Sequence, residues 1–313
     1  MRRILKIGII GYNDGNGHPY SYSAIFNGYN KKELLKKCPY PIIQEYLLKN
    51  HKNNNHSPNA KITHIWTQDK KISKDIAAVS KIPNIVNNYK FLIGKVDCVI
   101  LARDDIENHF KIANFFLKHR VPIFIDKQLV FNRSEFLKIQ KTIKKYNSLF
   151  VSGSTARYSN ELKRIKNLIK KDQLLSVHCI SKVNWIRYAH HVLEPITILI
   201  GTDVKYIRNI SPSKKHQIIE IKFKNNINVI LEFSSYHHDI KSTFYLKNKR
   251  PVELRFKNYF YSFKRTLMEF VKMVRSNEKM IPYKEIYNIA NIVLCGQESL
   301  KKEGKKIYFK KIN

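Results

Sequence analysis

Acidic residues are scarce in this 313-residue chain, which has 24 Asp and Glu against 58 Lys and Arg and a formal net charge of +34 at pH 7. Such a charge raises nucleic acid, anionic membranes and acidic small molecules as partners. The lysines are, however, spread along the whole length and mixed with Asn, Ile and Tyr. We interpret most of the charge as a compositional bias, which disfavours a nucleic-acid partner and remains compatible with an acidic small substrate.

Cysteine is also rare, and long apolar runs are absent. The chain has no C-x-x-C pair, which argues against a zinc knuckle or a disulfide framework and favours a reducing cytoplasm; its cysteines are Cys38, Cys98, Cys179 and Cys295. No apolar run approaches the roughly 20 residues that a membrane helix needs. The first apolar run is short and turns into a glycine-rich loop, so we expect a strand there and no signal peptide. A soluble protein without a metal site or a membrane partner is predicted.

The amino-terminal segment predicts a nucleotide-binding turn. Leu5 to Ile10 is almost entirely apolar, as expected of a strand buried on both faces. A glycine-rich loop follows, and His18-Pro19 begins a helix with proline in its first turn. Glycines let a backbone approach a pyrophosphate, and free N–H groups at a helix start attract its charge. The candidate cofactor-binding residues of this loop are Gly11, Asn13, Gly15 and Gly17; Asn13 replaces the second glycine of G-x-G-x-x-G, so an ordinary turn is the alternative.

The second predicted strand, Ile62 to Thr67, ends close to Asp69. In dinucleotide-binding folds a carboxylate at this point holds the ribose hydroxyls, which makes Asp69 a candidate cofactor-binding residue. An insertion makes its spacing from the glycine loop unusually long, and Asp69 could instead lie in the turn before a helix at Ser73 to Lys81. Lys70 and Lys71 could meet a 2′-phosphate, so NAD and NADP both remain open.

The stretch from Val96 to Lys127 predicts strand, helix, strand, because two short apolar runs bracket a helical apolar face. A crossover of this length joins parallel strands, whose carboxyl ends border ligand crevices. Site residues are therefore expected directly after each strand. The candidates are Arg103 and His109 after the first strand and Asp126 and Lys127 after the second.

The order of the elements predicts an α/β protein with two domains. Residues 1–130 indicate a Rossmann domain with a doubly wound parallel sheet, to which the helix and strand of residues 131–154 return. Residues 155–313 contain five strand-like runs between Leu175 and Phe256, and a helix is predicted from His190 to Ile200. Successive strands without helices favour an α+β substrate-binding domain with a mostly antiparallel open sheet. Asn225 and Asn226 predict a hairpin.

This order resembles the Gfo/Idh/MocA family of NAD(P)-dependent oxidoreductases over nearly the whole chain. The resemblance is carried by the IGIIG loop, the stretch from Val96 to Lys127, the Arg157-Tyr158 pair, and His191 ten residues before Gly201. It implies NAD or NADP as cofactor, a sugar or nucleotide sugar as substrate, and a homo-oligomer paired through the open sheet.

The resemblance also implies roles for individual residues. Lys127 matches the lysine of the family's E-K-P motif, although the proline is absent, and His191 matches the histidine at the start of a substrate-domain helix. These two are the candidate catalytic residues. The carboxylate that the family often places four residues before the histidine corresponds to Arg187, and Glu194 stands where the family usually has aspartate.

Hydride transfer from an alcohol carbon requires a group that takes the hydroxyl proton near neutral pH. His191 suits this role, while Lys127 could polarise the oxygen as a cation, or act as the base if burial lowered its pKa. His109 would face the cofactor or pack locally. The candidate substrate-binding residues are Arg157, Trp185, Arg187, Tyr188 and His190, which offer aromatic faces for a sugar ring and a cation for an anionic group.

Two other functions remain open at this stage. One is non-redox glycoside chemistry that uses NAD transiently. The other is a sugar- or nucleotide-binding protein that has lost catalysis, suggested by Arg187 in place of the carboxylate and Asn13 in place of glycine.

Overall fold

The structure is a computed structural model that describes residues 3–50, 59–169, 173–182 and 184–312. Contacts divide the chain into two compact units. The first contains Met1–Ser152 and Phe263–Met280, and the second contains Gly153–Ser262 and Ile281–Asn313.

The first sheet has six strands: β1 (Leu5–Ile10), β2 (Ala60–Trp66), β3 (Asn84–Ile85), β4 (Cys98–Leu101), β5 (Ile123–Asp126) and β6 (Phe150–Gly153). Their spatial order is β3-β2-β1-β4-β5-β6. The central strand β1 pairs in parallel with β2 and β4, and β4 pairs in parallel with β5. All residues of β4 and β5 are buried, as expected of strands covered on both faces. The predicted doubly wound parallel sheet is confirmed, and its strand order reverses at β1.

Helices connect these strands: α1 (His18–Asn27), α2 (Lys31–Lys37), α3 (Pro41–Lys49), α4 (Lys70–Ser80), α5 (His109–Lys118) and α6 (Arg133–Tyr146). Their ends follow local side-chain chemistry. Asn132 caps the start of α6 by accepting a hydrogen bond from the Glu135 N–H, and α6 ends at Asn147 in the left-handed conformation. The predicted start of α1 at His18 and the predicted strand–helix–strand unit are confirmed.

The second unit is built on a seven-stranded sheet: β7 (Leu174–Lys182), β8 (Val204–Asn209), β9 (His216–Phe223), β10 (Asn228–Ser234), β11 (Lys241–Leu246), β12 (Val252–Arg255) and β13 (Ile307–Tyr308). The order is β12-β11-β7-β10-β9-β8-β13. Only β7 and β10 pair in parallel, which confirms a mostly antiparallel sheet. Asn226 at φ +67° makes the predicted turn between β9 and β10. Strand β8 was not predicted, because a bulge between Val204 and Tyr206 breaks its alternation.

The remaining helices are α7 (Asn160–Leu168), α8 (Trp185–Ile200), α9 (Tyr259–Ser276) and α10 (Tyr283–Lys301). The predicted start of α8 at His190 is wrong by five residues. Asn184 accepts a hydrogen bond from the Arg187 N–H and begins the helix at Trp185. The aromatic residues of this first turn favour strands by propensity, so the cap decides the boundary.

Most of α9 belongs with the first unit, whereas the sequence-based division left residues 263–280 in the second domain. Phe270 is fully buried, and its ring centroid lies 5.8 Å from that of Phe124 on β5. The ring of Phe263 lies 5.5 Å from that of Tyr22 on α1. Helical periodicity identifies an apolar face but does not say which sheet covers it.

Within the described ranges, no helix combines the length and the apolar character required to cross a membrane.

Candidate functional site

Three loops leave the carboxyl ends of β1, β4 and β5: residues 11–17, residues 102–108 and residues 127–128. Asp104 connects all three. Its backbone N–H donates to Asn13 Oδ1 at 2.9 Å, and Asn13 Nδ2 donates to Asp104 Oδ1. Its second carboxylate oxygen lies 3.3 Å from Lys127 Nζ. Asp104 was not among the predicted site residues, although its place in Arg103-Asp104-Asp105, soon after a buried strand, was a usable signal.

Asp126, the last residue of β5, is a buried carboxylate with partners on two segments. It is 1% exposed, and its Oδ2 lies 2.6 Å from His18 Nδ1 and 3.2 Å from Lys127 Nζ. The Asn16 amide and the Tyr22 hydroxyl donate to it at 3.4 Å. Burial alone would raise the pKa of Asp126, but His18 and Lys127 hold this pKa well below its usual range. Asp126 is therefore ionised and fully engaged by the protein.

Lys127 is a buried ammonium group on a strained backbone. Its φ of +60° is rare for a residue other than glycine, and the Ser152 hydroxyl donates to its carbonyl at 2.6 Å. Burial would lower the pKa of Lys127, but the carboxylates of Asp126 and Asp104 raise it. Lys127 consequently remains a cation, which favours its role as a polarising group over that of a base.

Arg103 lies over the glycine loop. Gly11 has φ +89°, and a Cβ at this position would overlap the Arg103 side chain. The guanidinium donates to Asp105 Oδ1 at 2.7 Å and to Gln68 Oε1 at 3.1 Å. Arg103 thus connects the ends of β1, β2 and β4, and it is only 7% exposed.

His109 is fully buried at the start of α5. Its Nδ1 lies 2.7 Å from the Gln128 carbonyl oxygen, and its Nε2 lies 3.0 Å from the Arg103 carbonyl oxygen. Burial lowers the pKa of His109, and the two carbonyl groups oppose this effect. The ring connects the loops after β4 and β5, which corresponds to the local-packing alternative.

The remaining cofactor candidates lie on the glycine loop and directly after β2. Gly15 has φ +83° with open space where a Cβ would project, and α1 begins directly after Gly17. Asp69 lies after β2, is exposed, and caps α4 by accepting a hydrogen bond from the Lys71 N–H at 2.7 Å. Gly17 is covered, since a Cβ there would overlap Tyr40 and Ile43. The open position at Gly15, the start of α1 and a carboxylate after β2 are of the kinds that hold a pyrophosphate and a ribose in dinucleotide-binding folds. Asp104 is the exception, because it brings a negative charge to this loop.

In the second unit, Arg157 is held by two carboxylates. Its Nε donates to Glu194 Oε2 at 2.7 Å, and its Nη2 donates to Glu285 Oε1. Glu194 is 1% exposed; burial raises its pKa and Arg157 opposes this shift. The guanidinium therefore stabilises a buried carboxylate, which accounts for the side chain of Arg157 without a substrate.

His191 lies on α8, with Nδ1 2.8 Å from the Ser154 hydroxyl oxygen. Its ring centroid is 5.9 Å from that of Tyr188, and Arg187 is exposed one helical turn earlier. The other two predicted substrate residues face inward. His190 is 1% exposed, and the Trp185 indole is buried and donates to the Val293 carbonyl at 3.1 Å. Arg187 and Tyr188 are therefore the accessible candidates beside His191.

Over residues 3–50, 59–169, 173–182 and 184–312, no group of three or more His, Cys, Asp or Glu residues has a geometry that could hold a metal ion.

A family model describes residues 46–154. It is that of the Gfo/Idh/MocA oxidoreductase family, NAD-binding Rossmann fold. The family resemblance seen in the sequence, and with it the expectation of a nicotinamide dinucleotide, is confirmed for this segment. No curated protein sequence matches the chain.

Solved structures share the fold over nearly the whole chain at low sequence identity. Myo-inositol 2-dehydrogenase from Lactobacillus plantarum is 13% identical with a TM-score of 0.76, over 98% of this chain and all of that one. Scyllo-inositol dehydrogenase from Lactobacillus casei, crystallised with NAD(H) and scyllo-inositol, is 11% identical with a TM-score of 0.75, over 98% and 99% of the two chains. GenD2 from gentamicin A biosynthesis, in complex with NAD, is 10% identical with a TM-score of 0.75, over 99% and 97%.

We predict that Asp126→Asn destabilises the protein by about 3–5 kcal/mol at neutral pH, because the buried Lys127 and the partly buried His18 lose their shared partner. The folded-state pKa of Asp126 lies below its unfolded value. Its contribution to stability is thus present above about pH 4 and is lost as the pH falls further. Urea unfolding at pH 7 to pH 3 should show the gap between wild type and variant narrowing in acid.

The matched control is Asp14→Asn, since Asp14 is exposed on the glycine loop. Its stability should stay within about 0.5 kcal/mol of wild type throughout. A gap for Asp126→Asn that is independent of pH would contradict the assigned ion pairs.

Proposed function

We propose that this chain, whose residues 46–154 match the Gfo/Idh/MocA family of NAD-binding oxidoreductases, transfers a hydride between nicotinamide and a hydroxyl or ketone carbon of a sugar or nucleotide sugar. In this proposal the first unit binds NAD or NADP and the second binds the substrate. Lys127 and His191 are the catalytic residues.

The observation that carries the proposal is the buried ammonium of Lys127. A lysine at the carboxyl end of a parallel strand, with a left-handed backbone and two carboxylate partners, is a strained arrangement of the kind that clusters at functional sites. The same edge of the sheet carries the open glycine loop at Gly15 and the start of α1. Such crevices at a strand-order reversal are where dinucleotides bind.

A bound nicotinamide would supply the hydride acceptor for the C–H bond of the alcohol carbon in the oxidative direction, and the hydride donor in the reductive direction. The hydroxyl oxygen on that carbon would lose its proton to the His191 imidazole as the carbonyl group forms. Lys127 stabilises the negative charge that develops on the oxygen. In the reductive direction His191 returns the proton.

We infer the substrate class from the charge of Arg187 and from the solved structures that share the fold. Two of the structural neighbours named above are dehydrogenases of myo-inositol and scyllo-inositol, and the third, GenD2, is from gentamicin A biosynthesis. Arg187 is an exposed cation one turn from His191, which suits a substrate with a phosphate or carboxylate group.

We further propose a homo-oligomer, and a cytoplasmic setting that keeps the four buried cysteines reduced.

The cofactor is tested by titrating the protein with NADH and NADPH and following nicotinamide fluorescence. We expect saturable binding of at least one dinucleotide below about 1 mM. Asp104→Asn should tighten binding several-fold, because it removes a negative charge beside the glycine loop. Asp239→Asn, at an exposed carboxylate of the second unit, should leave binding unchanged. Failure of both dinucleotides to bind at millimolar concentration would remove the cofactor from the proposal.

The substrate is tested with a panel of cyclic polyols, hexoses, sugar phosphates and nucleotide sugars, with NADH formation monitored by absorbance. We expect anionic substrates to be preferred, and Arg187→Ala to lower their kcat/KM about tenfold or more while sparing neutral substrates. Arg164→Ala removes an exposed arginine of α7 and is the charge-matched control. Product formation without net NADH change would indicate non-redox glycoside chemistry instead.

Lys127→Ala should lower turnover by about 100-fold or more and dinucleotide affinity by a much smaller factor, because the ammonium is assigned to the transition state and its loss also leaves Asp104 without its cation beside the glycine loop. Lys138→Ala removes an exposed lysine of α6 and should retain full turnover. Single-turnover kinetics and dinucleotide titration on the same preparations separate the two effects. An equal loss of turnover and of affinity would assign Lys127 to binding alone.

A further inference from the structure

We propose that Tyr40, at the start of α3, donates a hydrogen bond from its phenol to a phosphate oxygen of the dinucleotide that binds at the glycine loop. The inference rests on the proposed function, in which the first unit binds NAD or NADP, and adds a binding residue from outside the loop. The hydroxyl oxygens of Tyr40 and Tyr12 lie 2.8 Å apart. Tyr12 belongs to the glycine loop, so this contact joins α3 to the loop.

The side chain of Tyr40 lies along the glycine loop. A Cβ built on Gly17, the residue before α1, would stand 2.6 Å from Tyr40 Cδ2 and 2.9 Å from Tyr40 Cγ. The near end of the ring therefore covers the helix start, and the hydroxyl at the far end meets Tyr12. Backbone N–H groups at a helix start attract phosphate. The Tyr40 phenol thus adds an O–H donor beside these groups.

The two phenols have one more proton than their own hydrogen bond uses. Each phenol carries one O–H donor, and the contact between them consumes one, whichever phenol donates. Among the described residues, neither hydroxyl has a second hydrogen-bond partner. Tyr12 is only 8% exposed, whereas Tyr40 is partly exposed and is the phenol that a ligand can reach. Because hydroxyl hydrogens rotate, Tyr12 can donate to Tyr40 while Tyr40 donates to the ligand.

The charges at the glycine loop give a neutral donor its value. Residues 11–17 include Asp14 but no lysine or arginine. The cations beside the loop, Arg103 and Lys127, are paired with carboxylates. Burial, followed by the bond to the second phenol, raises the pKa of Tyr40 above its usual range. Tyr40 therefore keeps its proton and can donate it to an anionic oxygen.

The protein holds Tyr40 in place without help from a ligand. The Gln44 side-chain amide donates to the Cys38 carbonyl at 2.7 Å, across the turn that contains Tyr40. Further along α3, the Tyr46 hydroxyl donates to Ser21 Oγ on α1 at 2.5 Å. The helix that carries Tyr40 is thus bonded to the helix whose start it covers. A donor fixed in this way loses little conformational freedom when a ligand binds.

The test compares Tyr40→Phe with Tyr20→Phe. Kd is measured by fluorescence titration for NADH or NADPH, whichever binds more tightly, and for ADP-ribose by competition. We expect Tyr40→Phe, which removes only the hydroxyl, to weaken both ligands about 10-fold, because a hydrogen bond to a charged oxygen is lost. Tyr20 is the matched control: it is 3% exposed, and its ring centroid lies 6.4 Å from that of Tyr40. Tyr20→Phe should stay within about twofold of wild type.

Two further comparisons identify the phosphate contact. Tyr12→Phe should weaken ADP-ribose only about two- to threefold, because Tyr40 keeps its own proton. Adenosine lacks phosphate, so it should compete equally well, or not at all, against wild type and Tyr40→Phe.

Unchanged or tighter ADP-ribose binding by Tyr40→Phe overturns the assignment of Tyr40, and so does an equal loss for adenosine. ADP-ribose binding that depends on Tyr40, without NAD-dependent turnover of any sugar, overturns hydride transfer alone. A wild type that binds neither a dinucleotide nor ADP-ribose overturns both proposals.

Discussion

A carboxylate buried at the end of a strand remains ionised only if cations and donors surround it, and this requirement at Asp126 organises the first unit. Its partners are His18, at the start of α1, and Lys127, the next residue in the chain. The contacts of Asp126 with these two residues hold the glycine loop, the start of α1 and the end of β5 together. The left-handed backbone of Lys127 is tolerated because the ion pairs and the Ser152 hydroxyl hold it from several sides.

The second unit satisfies the same requirement with different residues. Glu194 is buried in α8 and is compensated by Arg157, which also bonds to Glu285. In both units a buried carboxylate fixes the backbone next to a candidate catalytic side chain: Asp126 beside Lys127, and Glu194 beside the serine that bonds to His191. Charge burial, which is unfavourable for stability by itself, here determines where the reactive groups lie.

At the carboxyl ends of β4 and β5 the first unit carries several carboxylates, although the net charge of the chain is positive. The net charge of the chain is +34, yet Asp104 and Asp105 lie in the loop after β4 and Asp126 ends β5. Asp126 and Asp104 raise the pKa of Lys127 and so keep it cationic, which favours the polarising role over that of a base. Cofactor binding must then proceed against Asp104, which bonds to the loop that would hold the pyrophosphate.

The sequence by itself determined the elements whose signals are local. Buried parallel strands appear as short apolar runs, so β4, α5 and β5 were predictable, as were the start of α1 and the Asn225-Asn226 turn. Only the tertiary structure decided that α9 packs on the first unit, that Trp185 and His190 face inward, and that His109 is used to connect two loops. It also paired Ser154 with His191, 37 residues away. The physical reason is that the periodicity of apolar residues and the types of capping and turn residues are properties of a few neighbouring residues. Burial and hydrogen-bond partners instead depend on segments that are distant in sequence.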